Sequence, residues 1–143
     1  MDAMDWALLT ELQADARLSY SELSRRVHLS APAVTERVRR LEESGIIAGY
    51  HARVDPSLAG RHVVAMIRMS CYGPLCLLRD ESVLAWPEIL EVDRVTGDTC
   101  CLLRIATTSM IEFEALIDRL AQHGQPSSSM ILSSPVAWRA VSP

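Results

Sequence analysis

The chain has 143 residues, of which 49% are hydrophobic, and it carries a formal net charge of −4. This length allows one domain or two small domains of roughly 50 to 80 residues each. No apolar run approaches the ~20 residues that cross a bilayer, and the start MDAMDW is acidic rather than basic like a signal segment, so we expect a cytoplasmic protein without a membrane partner.

The cysteines bear on the redox chemistry and on metal binding. No Cys-x-x-Cys spacing of the kind that zinc sites use occurs among the four cysteines, Cys71, Cys76, Cys100 and Cys101. In a reducing cytosol we expect four thiols, no disulfide and no metal. Cys100 and Cys101 are neighbours in a predicted strand and should point to opposite faces, with Cys101 in the core.

Two helices are predicted at the start of the chain. The apolar spacing of residues 5–16 gives one face of a first helix. Ser19 and Glu22 form an S-x-x-E capping box, which starts a second helix one residue after Ser19. That helix buries Leu23 and Val27, which lie four residues apart.

A third helix follows after a short turn. His28 breaks the second helix, and histidine is one of the few residues that tolerate a positive φ. Ser30 is the expected N-cap, Pro32 fits the first turn, and Gly45 ends the helix. Two short helices joined in this way, the second rich in arginine, are typical of a helix-turn-helix. The residues expected to face the core are Val34, Val38 and Leu41.

The opposite face of the third helix is the predicted surface for double-stranded DNA. In a helix-turn-helix the start of the second helix enters the major groove, and nearby arginines reach phosphates. The alternative is that the arginine-rich face is only solvated and binds nothing. The capping box, the turn and the three core-facing residues of the third helix together favour DNA binding over this alternative. The predicted DNA-binding residues are Arg25, Arg26, Ser30, Ala31, Ala33, Glu36, Arg37, Arg39 and Arg40.

The segment GIIAGYHARVDP, residues 45–56, alternates apolar and polar residues. This pattern predicts a short hairpin and a connecting strand. We therefore expect a winged helix-turn-helix domain over 1–48 and a linker strand over 49–60.

The second half predicts an α+β domain over 61–143. Gly97 and Asp98 predict a tight hairpin, and the order βαββαβ is that of a ferredoxin-like unit. Its first and third strands should be central neighbours with both helices on one face, which leaves Val64, Met66 and Leu102 on a bare apolar face that favours dimerisation. The predicted strands are 61–71, 89–96, 99–106 and 130–136, and the predicted helices are 75–85 and 109–123.

The segment ELSRRVHLSAPAVTERVRRLEESGIIAGYHARVDP, with LQADAR before it and the Gly-Asp turn after it, resembles the Lrp/AsnC family of leucine-responsive, or feast/famine, regulators. The likeness covers nearly the whole chain. It implies an N-terminal winged helix and a C-terminal βαββαβ domain that dimerises and binds amino acids or related metabolites. It also implies further assembly, often to octamers.

The resemblance also implies an effector site near the Gly-Asp turn, at contacts between dimers. A carboxylate there can hold an α-ammonium group, and turn N–H groups can hold an α-carboxylate. Many relatives carry an acid where this chain has Cys100. The implied effector-binding residues are Gly97, Asp98, Thr99, Cys100, Met110, Met130, Ile131 and Leu132. The last four suit an apolar side chain of the effector, and core packing is the alternative for each of them.

Catalytic chemistry is not expected. The four histidines are scattered, and neither G-x-S-x-G nor G-x-G-x-x-G occurs. No cofactor is expected beyond a small-molecule effector, an amino acid. Three readings stay open: a metabolite-responsive regulator that binds pseudo-palindromic DNA as a dimer or octamer, an effector-independent DNA-organising protein, and a thiol- or metal-responsive regulator that uses the four cysteines.

Overall fold

The computed structural model describes residues 1–143, which divide into two compact units. The first unit comprises Met1–Ala52 together with Pro135–Pro143, and the second comprises Arg53–Ser134. The C-terminal residues therefore group with the helical unit, whereas the sequence assigned them to the second domain. None of the helices is both long and apolar enough to span a bilayer.

The first unit contains α1 (Ala3–Ala14), α2 (Tyr20–Val27) and α3 (Ala31–Glu43). Each begins after a side chain that accepts a backbone N–H three residues on, and the predicted capping box at the start of α2 is confirmed. His28 lies in the left-handed region at φ 54°, as the turn requires. The core of this unit is formed by Leu8, Leu12, Leu23, Val27, Val34 and Val38.

The predicted wing and linker strand are wrong, because residues 45–62 form turns and irregular backbone without a strand. Gly45 at φ 74° and Gly60 at φ 89° adopt turn conformations at the two ends of the segment. Tyr50 and Val54 are exposed, by 45% and 66%, whereas Ile47 is partly buried against the core of the first unit. An alternating segment forms a strand only where another strand pairs with it, and no strand of this chain pairs with residues 45–62.

The second unit is a four-stranded antiparallel sheet in the order β2-β3-β1-β4, with helices on one face. The α+β architecture and the central pairing of the first and third strands are confirmed. The predicted helix 75–85 is only a 3-10 turn, Leu77–Arg79, and a single helical turn. The regular elements are β1 (Val63–Ser70), α4 (Glu81–Leu84), β2 (Ile89–Arg94), β3 (Cys101–Thr107), α5 (Met110–Ala121) and β4 (Gln125–Met130).

The last strand was predicted at 130–136, and that position is wrong. β4 is the polar segment QPSSSM, which pairs only with β1 at the edge of the sheet. Four of its six residues are serine or proline, so it carries no apolar alternation. Pro126 is tolerated because an edge strand needs hydrogen bonds on one side only.

The sheet face without helices carries the apolar residues that the sequence placed there. Val64, Met66 and Leu102 are half-buried, while their neighbours Ala65, Ile67 and Leu103 are fully buried beneath the helices. Alternation along β1 and β3 thus gives one closed face and one open face.

Candidate functional site

The exposed face of α3 carries the first candidate site. Thr35, Glu36, Arg39 and Arg40 are exposed, and Ser30 caps the helix by accepting the N–H of Ala33 at 3.4 Å. Ala31 and Ala33 are half-buried in the first turn. The sequence analysis missed Thr35, although it lies four residues before Arg39 and therefore on the same face.

Several of the predicted arginines are ion-paired within the first unit. Arg26 contacts Glu11 at 2.7 Å, and Arg39 contacts Glu36 at 2.8 Å and also Glu43. The hydrogen bond from Arg39 lowers the pKa of Glu36. Such exposed pairs contribute little and can be exchanged for a phosphate.

Two further arginines make fewer or longer contacts with acidic side chains than Arg26 and Arg39 do. Arg25 is exposed at the end of α2 and makes no salt bridge. Arg40 is 56% exposed, and its nearest carboxylate oxygen, on Asp5, lies 3.7 Å from Nη2. These two guanidinium groups give the surface its most available positive charge.

Arg37 does not lie on the exposed face, and its predicted position is wrong. Its Nη1 donates to Asp2 and to Asp5, both at 2.7 Å, and its side chain is only 25% exposed. Arg37 precedes Val38 by one residue and follows Val34 by three, so it flanks the core stripe rather than opposing it. Asp5 is a buried carboxylate, 6% exposed, and Arg37 supplies its charge partner.

We expect Arg37→Ala to destabilise the first unit in a pH-dependent way. Backbone N–H donation within the α1 cap and then Arg37 hold the pKa of Asp2 and of Asp5 below the ordinary value of 3.8. A lowered folded-state pKa stabilises the fold above the ordinary pKa, and this contribution is lost as the pH falls through the folded-state value. The melting temperature of Arg37→Ala should therefore fall below that of the parent at pH 7, and the difference should shrink towards pH 2.

Arg39→Ala is the matched control for that substitution, because Arg39 pairs only with exposed acids. Thermal melts of both variants from pH 7 to pH 2 make the comparison. A loss in Arg37→Ala that is equal at every pH would show that its ion pairs contribute nothing.

The loop between β2 and β3 is the second candidate site. Residues 95–100 connect the strands, so the predicted tight hairpin is a longer loop, in which Gly97 has φ 101°. The Asp98 carbonyl oxygen accepts from Ser70 Oγ and from Tyr72 Oη, both at 3.0 Å. Gly97 and Asp98 are exposed, so the carboxylate and the turn backbone are open to a ligand.

The apolar residues of the predicted effector site lie elsewhere in the second unit, at the start of α5 and at the end of β4. Met110, Met130 and Leu132 are exposed, by 56%, 43% and 96%, and Ile131 is half-buried, so core packing does not account for them. The N–H of Ile131 donates to Val64 O at 2.9 Å, near the start of β1.

The Gly97–Asp98 turn contacts Ser70, at the end of β1. The part of β1 from Val64 to Ser70 spans about 20 Å. One chain therefore presents the turn and the apolar group as two separate sets, and it does not bring the eight predicted residues together.

A shallow cleft accompanies the apolar group on α5 and β4. Its floor is apolar and two carboxylates stand among its lining residues, which are Met110, Ile111, Phe113, Glu114, Ile117, Asp118 and Ser128.

The cysteines depart from their predicted states. The structure joins Cys71 and Cys100 in a disulfide, whereas four thiols were expected. Cys101 is fully buried in the core, as predicted, but its Sγ lies 3.8 Å from that of Cys100, so the two side chains do not diverge. Cys100 precedes the first residue of β3, and the alternation of strand side chains does not extend to it.

Comparison with known proteins covers nearly the whole chain. Residues 1–42 match the AsnC-type helix-turn-helix domain, and residues 79–141 match the Lrp/AsnC ligand binding domain. The uncharacterized HTH-type transcriptional regulator YezC of Bacillus subtilis is 35% identical over 134 residues, which are 94% of this chain and 95% of YezC.

Two similar solved structures contain an amino acid. The regulator NMB0573 of Neisseria meningitidis, in complex with L-methionine, matches with a TM-score of 0.85 and 32% identity over 99% of this chain and 96% of its own. The feast or famine regulatory protein Rv3291c of Mycobacterium tuberculosis, also complexed with L-methionine, matches with a TM-score of 0.88 and 31% identity over 99% of both chains.

Proposed function

The chain belongs to the Lrp/AsnC family of transcriptional regulators, and we propose that it reads DNA through α3 and responds to an amino acid bound at the Gly97–Asp98 turn. The observation that carries the first part is the α2–turn–α3 arrangement, with His28 in the left-handed turn and an open polar face on α3. The observation that supports the second is the exposed carboxylate and backbone of the turn.

For DNA recognition, the first turns of α3 enter the major groove. Ser30 and Thr35 have hydroxyl groups for base edges, and Glu36 can accept from a cytosine amino group. Ala31 and Ala33 allow close approach of the helix backbone, and their methyl groups suit contact with thymine. The residues assigned to phosphates are Arg25, Arg26, Arg39 and Arg40.

A dimer would place two α3 helices on one operator. The open sheet face with Val64, Met66 and Leu102 is the surface we assign to dimerisation, because an uncovered apolar sheet face favours association. A two-fold axis then predicts a pseudo-palindromic site whose half-sites are about 34 Å apart, or a multiple of that distance. Further assembly, up to an octamer, would bring the Gly97–Asp98 turns of one dimer into contact with a neighbouring dimer.

The effector site is proposed to lie between protomers. Asp98 holds the α-ammonium group of the amino acid, and the N–H groups of the turn hold its α-carboxylate. The effector side chain contacts apolar residues of a neighbouring protomer, since Met110 and Met130 lie about 20 Å from the turn within one chain. The two relatives bound to L-methionine make that amino acid the first probe.

We expect Asp98→Asn to lose the amino-acid response while keeping DNA binding. The amide has the same shape but no charge for the ammonium group, so the affinity for L-methionine should fall by tenfold or more, about 1.4 kcal/mol. Thermal shift with L-methionine and with pooled amino acids measures binding, because a ligand selective for the folded state raises the melting temperature. Fluorescence anisotropy on the DNA upstream of the protein's own gene measures the response.

Glu81→Gln, which removes one carboxylate charge from an exposed position of the second unit, is the matched control and should behave like the parent. If no amino acid changed either the melting temperature or the DNA affinity of the parent, the effector-independent DNA-organising reading would replace the proposal.

A further inference from the structure

We propose that Cys71 and Cys100 form a reversible thiol–disulfide switch that controls the Gly97–Asp98 turn. The two residues directly follow β1 and directly precede β3, which are neighbouring central strands. Disulfides in proteins of reducing compartments are usually transient and regulatory rather than structural. This switch goes beyond amino-acid binding, because it gives the same turn a second input.

The backbone is already placed for both redox states. The Cα atoms of Cys71 and Cys100 are 6.0 Å apart, within the usual range for a disulfide. The N–H of Cys100 donates to Met69 O at 2.8 Å, and this ladder bond holds its position whether or not the sulfurs are joined. Met69 O also lies 3.0 Å from Cys100 Sγ, so the reduced thiol has an acceptor. Bond formation and reduction therefore need no rearrangement of the strands.

Burial assigns different roles to the thiols. Cys100 is half-buried, whereas Cys71 is 4% exposed and packs against the backbone of Gly124, where a Cβ would lie 2.6 Å from that of Cys71. Burial, with Cys76 nearby, raises the pKa of Cys101 to about 11 and keeps it protonated. An oxidant therefore meets Cys100 first, and Cys71 is the resolving partner.

The pair is connected directly to the turn that carries Asp98. Ser70 and Tyr72, on either side of Cys71, are the two residues whose hydroxyl groups donate to Asp98 O. Cys100 lies two residues after Asp98, at the end of the loop and directly before β3. The disulfide thus links residues 70–72, which hydrogen-bond to the turn, to Cys100, where the chain leaves the turn. Reduction removes this covalent link and leaves only the hydrogen bonds.

The oxidant is a peroxide in the proposed reaction. The Cys100 thiolate attacks one peroxide oxygen, forming a sulfenic acid and releasing hydroxide, which a proton converts to water. The Cys71 thiol then attacks the Cys100 sulfur, forming the S–S bond and releasing a second water. Two thiols are oxidised and one hydrogen peroxide is reduced. A dithiol such as dithiothreitol reverses the reaction by exchange and is itself oxidised.

Alkylation and hydrogen exchange test the switch on the full chain without DNA or amino acid, so its failure is distinct from failure of the proposed function. With alkylation carried out after denaturation, so that buried thiols also react, hydrogen peroxide should lower the number of alkylated cysteines from four to two, and dithiothreitol should restore four. Peptides that cover 95–100 should exchange about tenfold more slowly in the oxidised protein. Cys71→Ser and Cys100→Ser should lose both effects, and the control Cys76→Ser should keep them.

If a cysteine variant fails to fold, comparison of the oxidised and reduced parent protein still tests the switch. Exchange in 95–100 that is identical in the oxidised and reduced proteins would overturn the proposal. So would a pair that stays oxidised in dithiothreitol, or a reduced protein that binds one zinc ion per chain and is thereby protected from peroxide, since the cysteines would then be structural or a metal site.

Discussion

Replacing Arg25 and Arg40 together by alanine should lower DNA affinity about 10³-fold at about 0.15 M salt, and it should reduce the salt dependence. Each arginine that neutralises one phosphate contributes about 0.9 to the slope of log K against log salt. A dimer has four such groups, so the slope should fall by about 3.6.

Arg25 and Arg40 are chosen because the fold depends on them least. Arg25 makes no salt bridge, and Arg40 has only a long contact with Asp5. Removing Arg37 would instead leave the buried carboxylate of Asp5 without its charge partner. The measured change in DNA affinity would then include the effect of partial unfolding of the helical unit. The double variant therefore reports on the electrostatic contribution of the surface itself.

Arg79→Ala combined with Arg94→Ala is the matched control, because it removes the same charge from exposed positions in the second unit. Anisotropy titrations from about 50 to about 400 mM salt give both the affinity and the slope of log K against log salt. Equal slopes for the two double variants would mean that net charge, and not the α2–α3 surface, governs binding.

The helical unit was largely predictable because its signals are local. Ser19 and Ser30 cap helices through bonds that span three residues, and His28 fits a turn by its own backbone preference. The start of α1 was predicted two residues late because the Asp2–Asp5 capping box lacks the serine or threonine of the usual pattern.

The errors concern interactions between distant residues. β4 is an edge strand that takes its register from β1, so its own sequence carries no apolar alternation. Residues 45–56 do alternate, but a strand needs a partner and none is present. The acids that hold Arg37 are 32 and 35 residues away, and the cysteines of the disulfide are 29 apart. No local pattern encodes such contacts.

The assignment of the effector residues was limited in the same way. Gly97 and Met110 are close in sequence, yet β3 carries the chain from one end of the sheet to the other between them. The family resemblance implied one site at contacts between dimers, and within one chain the strand register separates the two groups. The proposed effector site therefore requires residues from more than one chain.

Leu23→Ala should unfold the helical unit and abolish DNA binding while the sheet unit stays folded. Leu23 is fully buried, and its unit has a core of only a few side chains, all of them leucine or valine. Truncating a buried leucine costs about 2.7–5 kcal/mol. A unit of this size is stable by only about 3–8 kcal/mol, so the substitution removes most of that free energy.

The sheet unit has a separate core, centred on Ile67, Leu103 and Leu116, and none of these residues contacts the site of the change. Calorimetry should therefore show one transition at the parent temperature and one that is lowered or lost. Leu58→Ala, at a position 91% exposed, is the matched control and should leave both transitions and DNA binding unchanged. A single lowered transition for the whole chain of Leu23→Ala would show instead that the two units fold cooperatively, and DNA binding could then not be lost without the sheet.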